Sequence, residues 1–187
     1  MSLCNITDVK SYLDMPVDRA DTEIDTLLAS YILAISSQIS DYCDRTFETS
    51  TYTERHDGDG SSIMVPRRYP VTAVTTVWED QGWDFADSSK IDSDDYRVSK
   101  QRYVVLNNIT FTVGIQNIKI TYIGGYTTIP SDLKHACIME VARTFKQRKD
   151  IHVSSISMED GSITKYDTNF LPSTVATLNF YRNIGIC

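Results

Sequence analysis

The chain has 187 residues, of which 41% are hydrophobic and 23% charged, enough apolar content to fill a core and too much for a disordered tail. Its 25 acids and 18 Lys and Arg give a net charge of −7, the wrong sign for a protein that coats phosphate. No run of about 18 apolar residues occurs, so no membrane-spanning helix is expected. Met1-Ser2-Leu3-Cys4-Asn5 lacks both a charged n-region and an apolar h-region, so no signal peptide or export through one is expected.

The charge is unevenly spread. Residues 1–48 carry nine acids against Lys10, Arg19 and Arg45, net −6, and residues 79–95 carry seven acids against Lys90, again −6. Residues 49–78 are neutral, and residues 96–187 carry eleven bases against six acids, net +5. Solvated faces account for such asymmetry in most proteins. The alternative is a pair of complementary surfaces that meet between copies.

In chain order, the first element expected is a short helix from Thr7 to near Leu13, with Thr7 as its N-cap. Met15-Pro16-Val17-Asp18 breaks it. Asp21 then caps a long helix to about Arg45, with Glu23 and Asp25 at its positive end. Its apolar residues Ile24, Leu27, Leu28, Tyr31, Ile32, Ile35, Ile39, Tyr42 and Cys43 are spaced 3, 1, 3, 1, 3, 4, 3, 1, a helical stripe.

Residues 49–129 are rich in Thr, Val, Ile and Tyr and read as a β region. Thr51–Arg55 and Ile63–Val65 flank Asp57-Gly58-Asp59-Gly60 and predict a hairpin. Val71–Trp78 is a strand, Gln81–Asp95 a polar acidic loop, and Tyr103–Leu106, Ile109–Val113 and Ile118–Ile123 are further strands, with a turn over Gly114 to Asn117. Alternation places Ile118, Ile120 and Tyr122 on one buried face. After Gly124-Gly125, Ile129-Pro130-Ser131-Asp132 opens a helix over about 131–149, with Leu133, Ala136, Cys137, Val141 and Phe145 facing the core. Residues 150–170 are irregular, with a hairpin around Glu159-Asp160-Gly161-Ser162. A last helix runs from Leu171-Pro172-Ser173 to about Arg182, with Val175, Leu178 and Tyr181 on one side. The class is therefore α+β. Residues 1–48 and 130–187 form a helical core, interrupted by a β-rich insertion at 49–129 with an acidic loop at 79–95.

A search for chemistry yields little. His56 with Asp57 and Asp59 is the best metal candidate, but Gly60 comes too early for a calcium loop and the distal position, residue 68, is Arg. His135 and Cys137 are two apart on a helix and point to different sides. His152 has no evident partner. No G-x-S-x-G, phosphate-binding glycine loop or C-x-x-C occurs. The four cysteines, Cys4, Cys43, Cys137 and Cys187, are expected as reduced thiols, with Cys43 and Cys137 as small core residues. The pairs Glu79-Asp80 and Asp94-Asp95 lie in a loop, where solvation keeps carboxylates from acid–base work. Trp78 is expected in the core and Trp83 as an exposed contact anchor. No catalytic group, metal or cofactor is expected.

Laid end to end, these pieces resemble the head–tail connector (adaptor, or head-completion) proteins of long-tailed double-stranded DNA bacteriophages. The resemblance is carried by Thr7-Asp8-Val9-Lys10-Ser11-Tyr12-Leu13, by Asp21 to Phe47 with its ending Ile39-Ser40-Asp41-Tyr42-Cys43-Asp44-Arg45-Thr46-Phe47, and by Tyr52 to Gly60. It continues through Tyr69-Pro70-Val71-Thr72-Ala73-Val74, then Ile120 to Tyr126 followed by Ile129 to Ala136, and the Leu171-Pro172 helix. It covers nearly the whole chain, with 79–95 and 150–170 matching least.

The resemblance implies a structural virion protein and no enzyme. Many copies, commonly about twelve, would form a ring beneath the portal protein after packaging. The ring would extend the DNA channel and present a surface to a downstream head-completion or tail protein. The implied fold is a small helical bundle with a β insertion in larger members. The implied location is the virion's head–tail junction, reached from the host cytoplasm during assembly, with no membrane partner. DNA would pass through without specific binding. Candidate subunit or partner contacts are Trp83, Arg143, Lys146, Arg148, Lys149 and Tyr181. Candidate channel-facing acids are Glu79, Asp80, Asp94 and Asp95. The alternative reading is a DNA-binding packaging factor that uses the basic third helix.

Overall fold

The computed structural model describes residues 2–18, 21–148, 155–158, 161–164 and 170–183. Among the described residues the fold is α+β, with four α-helices and three antiparallel sheets. It divides into two compact units, one of Met1–Arg45 with Ile129–Cys187, the other of Thr46–Thr128. No helix among the described residues is long and apolar enough to cross a membrane.

In the helical unit, α1 (Ile6–Tyr12) begins two residues earlier than its sequence suggests. Asn5, rather than Thr7, is its N-cap: Asn5 Oδ1 accepts from Asp8 N–H at 2.8 Å and Asp8 Oδ2 accepts from Asn5 N–H at 3.2 Å. That reciprocal box satisfies two end groups, which a lone threonine could not do. Helix α2 (Thr22–Tyr42) is capped by Asp21, as expected, and stops three residues short of Arg45. Asp44 adopts a left-handed conformation (φ 48°), and Arg45 N–H reaches the Ser40 carbonyl at 3.1 Å. Asp14 ends α1 in the same way (φ 55°), with Met15 N–H on the Lys10 carbonyl at 2.9 Å. Both helices thus end through a reversed last turn. Buried Lys10 ties α1 to α2 through Asp25 at 2.6 Å.

Helix α3 (Ser131–Gln147) is the hub of this unit and packs on α1, α2 and α4 (Pro172–Tyr181). Leu133, Ala136, Cys137, Val141 and Phe145 are all buried, on the predicted face. So is Glu140, whose Oε1 accepts from Leu171 N–H at 2.7 Å while Oε2 pairs with Arg143 at 2.8 Å. At the other end, Tyr181 Oη donates to the Asp132 carboxylate at 2.7 Å, so α4 runs antiparallel to α3. Thr174 and Leu178 are the α4 residues that are fully buried.

The β unit has two sheets sharing one core. Strand β1 (Ser50–Gly58) pairs with β7 (Gly114–Gly124), which pairs with β3 (Val71–Glu79), which pairs with the short β4 (Lys90–Ile91). The second sheet is β2 (Ile63–Met64), β6 (Tyr103–Leu106) and β5 (Tyr96–Ser99), in the order β2-β6-β5. Ile118, Ile120 and Tyr122 of β7 meet Val71, Val77, Met64, Val104 and Leu106. Three expectations fail here. The Asp57-Gly58-Asp59-Gly60 segment joins two sheets and closes no hairpin, because β1 is taken by β7 and β2 by β6. Residues 109–113 are not a strand; Phe111 is buried and its N–H bonds to the Ser61 carbonyl at 2.9 Å. Gly114 to Asn117 is not a turn but the start of β7. The acidic loop is also more anchored than its polarity suggests, since Phe85 and Ile91 are buried.

Beyond α3, β8 (Ser155–Met158) and β9 (Gly161–Thr164) pair antiparallel, with Met158 opposite Gly161. Glu159, Asp160 and most of 150–170 lie outside the described residues.

The β unit's ends are joined at a glycine. Gly125 has φ +107°, donates to the Pro70 carbonyl at 2.9 Å, and lies so close to Glu48 that an added Cβ would sit 2.7 Å from the Glu48 carbonyl carbon. Gly125→Ala is expected to destabilise the protein by about 2 kcal/mol or more, from backbone strain and overpacking together. Urea unfolding of the two proteins checks this.

Candidate functional site

A tip of the β unit, formed by residues 79–85 and 112–117, combines large exposed apolar side chains with a built scaffold. Asp80 builds the first loop. Its Oδ1 accepts from Gly82 N–H at 2.8 Å and its Oδ2 from Phe85 N–H at 2.7 Å. These bonds hold its carboxyl below the usual aspartate range. The resulting turn puts Trp83 (φ 61°) and Phe85 (φ 50°) in left-handed conformations. Phe85 goes inward, with the Arg55 guanidinium 4.9 Å and Lys119 Nζ 4.7 Å from its ring; the same Lys119 Nζ is 4.1 Å from the Trp78 ring. Trp83 goes outward and stays 55% exposed.

The second segment is fastened to the first. Trp83 Nε1 donates to the Ile115 carbonyl at 2.9 Å and Gln81 Nε2 to the Val113 carbonyl at 3.2 Å. Buried Asn117 donates to the Thr112 carbonyl at 2.8 Å and accepts from Gly58 N–H at 2.8 Å. Glu79 accepts from Thr112 N–H, and Asp57 from Gln116 N–H at 2.7 Å. Gly114 leaves no room for a side chain, since a Cβ there would come within 2.8 Å of Asn117 and of Gln81 Oε1. The polar groups of this tip are thus occupied with one another. What is left for solvent is Trp83 together with Val113 and Ile115, 71% and 74% exposed. Such a patch, on a base where Asp57, Glu79 and Asp80 bond the tip's own N–H groups, has the chemistry of a protein contact.

The other predicted residues are scattered. Asp94 and Asp95 are exposed in a 3-10 turn (Ser93–Asp95) held by Asn107, which bonds both their carbonyls. Arg143 is engaged by Glu140, and the Arg148 guanidinium lies 3.8 Å over the Phe145 ring. Lys146 is exposed, and Lys149 lies outside the described residues. Tyr181 is tied to Asp132 within its own unit. Val113, Ile115, Gln81 and Asn117 were missed by sequence reasoning. The available signal was the pair of apolar residues, Val113 and Ile115, flanking Gly114 in a segment otherwise read as a turn.

The metal candidates have other partners. His56 Nε2 bonds Glu54 at 3.0 Å, Asp57 bonds Gln116 N–H, and Asp59 accepts from Ser61 N–H at 2.8 Å. Among the described residues no group of three or more His, Cys, Asp or Glu is placed to hold a metal ion. Glu54 sits at the centre of a half-buried polar cluster. It also accepts from Tyr122 Oη at 2.7 Å and Arg67 N–H at 3.0 Å, while Arg68 N–H donates to Tyr122 Oη at 2.9 Å. Burial pushes the Glu54 carboxyl up, but the bonds from His56, Arg67 and Tyr122 outweigh it and hold it below its ordinary 4.5. Burial, and then the bond to Glu54, push Tyr122 far above the usual phenol range.

The family model for head completion protein matches residues 2–184. No curated protein sequence matches the chain. Among solved structures, the fold is similar to a chain in the neck of the native GTA particle, computed with C12 symmetry, at 15% identity and TM-score 0.58, over 97% of this chain and 90% of that one. It is similar to a chain in the neck of the empty GTA particle, computed with C6 symmetry, at 14% identity and TM-score 0.56, over 96% and 90%. A chain of the virion of the native gene transfer agent particle matches at 15% identity and TM-score 0.57, over 98% and 94%.

The Glu54 cluster makes stability depend on pH. A carboxyl held below 4.5 in the folded chain stabilises it above that pH, and the stabilisation is lost as pH falls through the folded value. Glu54→Gln is expected to cost about 1–3 kcal/mol at pH 7. The gap from wild type should narrow below pH 4.5. Denaturant unfolding at both pH values reads this out, and a constant gap would contradict it.

Proposed function

The chain belongs to the head completion protein family, and we propose from that premise that it is a structural protein of the virion's head–tail junction. The observation that carries the reading is the family match over residues 2–184. On this reading about twelve copies of the chain form a ring between the portal protein and a downstream head-completion or tail protein. Residues 1–48 and 130–187 act as the small helical bundle of the family, and 49–129 as a β-rich insertion.

A ring uses one heterologous interface repeated head to tail, so each copy needs two unlike faces. The separation of −12 over residues 1–95 from +5 over residues 96–187 supplies charges of both signs for them. The C12 and C6 symmetries belong to the neck structures that share this fold, and they support a ring here. The net charge of −7 suits a channel that DNA crosses without being gripped. Exposed Asp94 and Asp95 are better placed to face it than Glu79 and Asp80, whose carboxylates are committed to backbone N–H groups. The Trp83, Val113 and Ile115 patch is read as a protein contact of the assembled junction. The DNA-binding alternative is weakened because Arg143 is paired with Glu140 and Arg148 is stacked on Phe145.

Particles assembled without the chain are expected to be filled heads that lack tails, seen by electron microscopy; tailed, infectious particles would overturn the reading. The patch is tested separately. A Trp83→Ala, Ile115→Ser double variant is expected to keep its fold by circular dichroism. Its incorporation into particles should fall at least tenfold, since a buried aromatic anchor contributes about 2 kcal/mol or more.

A further inference from the structure

The three described cysteines are all free and buried. Cys43 packs alone, with its Sγ against the Leu178 carbonyl at 3.7 Å. Cys4 and Cys137 are different: 133 residues apart in sequence, their sulfurs lie 3.6 Å apart in the helical unit. The site is built from three segments. Leu3 N–H donates to Ser36 Oγ of α2 at 3.0 Å, which pins the chain just before Cys4. The same Ser36 Oγ is 3.7 Å from Cys137 Sγ in the middle of α3. Leu3 is itself buried, so the N-terminal segment is held against both helices.

We propose that Cys4 and Cys137 are a dithiol site that closes to an intramolecular disulfide when the protein meets a small two-electron oxidant such as hydrogen peroxide. In the first step Cys137 Sγ, as the thiolate, attacks one peroxide oxygen; an S–O bond forms, the O–O bond breaks, and the departing hydroxide leaves as water with the thiol's proton. In the second step Cys4 Sγ attacks the sulfenic sulfur; the S–S bond forms, the S–O bond breaks, and the hydroxyl leaves with the Cys4 proton as a second water. Two thiols are oxidised and one peroxide is reduced to two waters.

The local hydrogen bonds set this order. The bond from Cys4, with that from Ser36, holds the Cys137 thiol below its usual range despite burial. Bonding to Cys137, with burial, pushes Cys4 up. The Ser36 hydroxyl 3.7 Å from Cys137 Sγ favours Cys137 as the attacking sulfur, and Cys4 on the N-terminal segment resolves. Closure requires the sulfurs to approach from 3.6 Å to about 2.05 Å. The closed form ties that segment to α3 and constrains most of the unfolded chain.

The test uses the full chain, purified reduced and treated with hydrogen peroxide. The expected result is a mass loss of about 2 Da, two fewer titratable thiols, and a peptide containing Cys4 linked to one containing Cys137. The melting temperature is expected to rise by about 5–10 °C, reversed by dithiothreitol. Cys4→Ser and Cys137→Ser should each abolish the link and the rise. The peptide map needs no variant, so a variant that fails to fold does not decide the matter. Oxygen adducts of about 32 Da on Cys137 with Cys4 still free, links between copies through Cys187, or unreacted thiols would each overturn the proposal.

Discussion

Tyr126 N–H donates to the Phe47 carbonyl at 2.7 Å, the two rings stack at 6.5 Å, and Glu48 bridges to Tyr126 in parallel. These contacts close the β unit on itself, so the chain leaves it beside where it entered. The helical unit depends on that closure, because α2 and α3 are neighbours in space although the whole β unit lies between them in sequence. The entropy of closing a loop grows only slowly with its length. An insertion whose own strands bring its ends together therefore costs the helices little. Gly125 is the residue that permits the close approach, since no side chain fits between it and Glu48.

The parts of this fold that were legible from sequence are those set by local periodicity. The stripe from Ile24 to Cys43 gave α2, the Leu133 to Phe145 face gave α3, and the alternation of Ile118, Ile120 and Tyr122 gave the buried side of β7. What was not legible depends on distant partners. Ser50–Gly58 looks like half of a hairpin because a turn follows it, yet its partner is Gly114–Gly124. Gly114 to Asn117 looks like a turn because it is polar and contains glycine. It is a bulged start of β7, with Gln116 left-handed (φ 49°), and Asp57 and Asn117 supply its contacts with β1. The α1 cap was misread by two residues because Thr7 and Asn5 are both acceptable caps, and only Asn5 has an acid three residues on to return the bond.

The acidic loop shows how the same residue types can be read for charge and used for shape. Glu79 and Asp80 suggest a solvated, repelling surface by composition. In the fold they are acceptors for Thr112, Gly82 and Phe85 N–H groups, and their effect is to hold Trp83 outward on a rigid base. Trp83 was legible as an exposed aromatic residue. Its companions Val113 and Ile115 were not, because their exposure follows from the turn chemistry of a segment far away in sequence. An apolar patch on a scaffold with satisfied polar groups, in a member of the head completion protein family, fits a component that works by touching other proteins.

The most direct test of this account is a density map of the head–tail junction in the particle to which the chain belongs. The account predicts a closed ring of copies between head and tail, each with a discontinuous helical unit and a β unit, with the Trp83 patch covered by a neighbouring protein. A junction without the chain, or a single copy bound along DNA through α3, would contradict it.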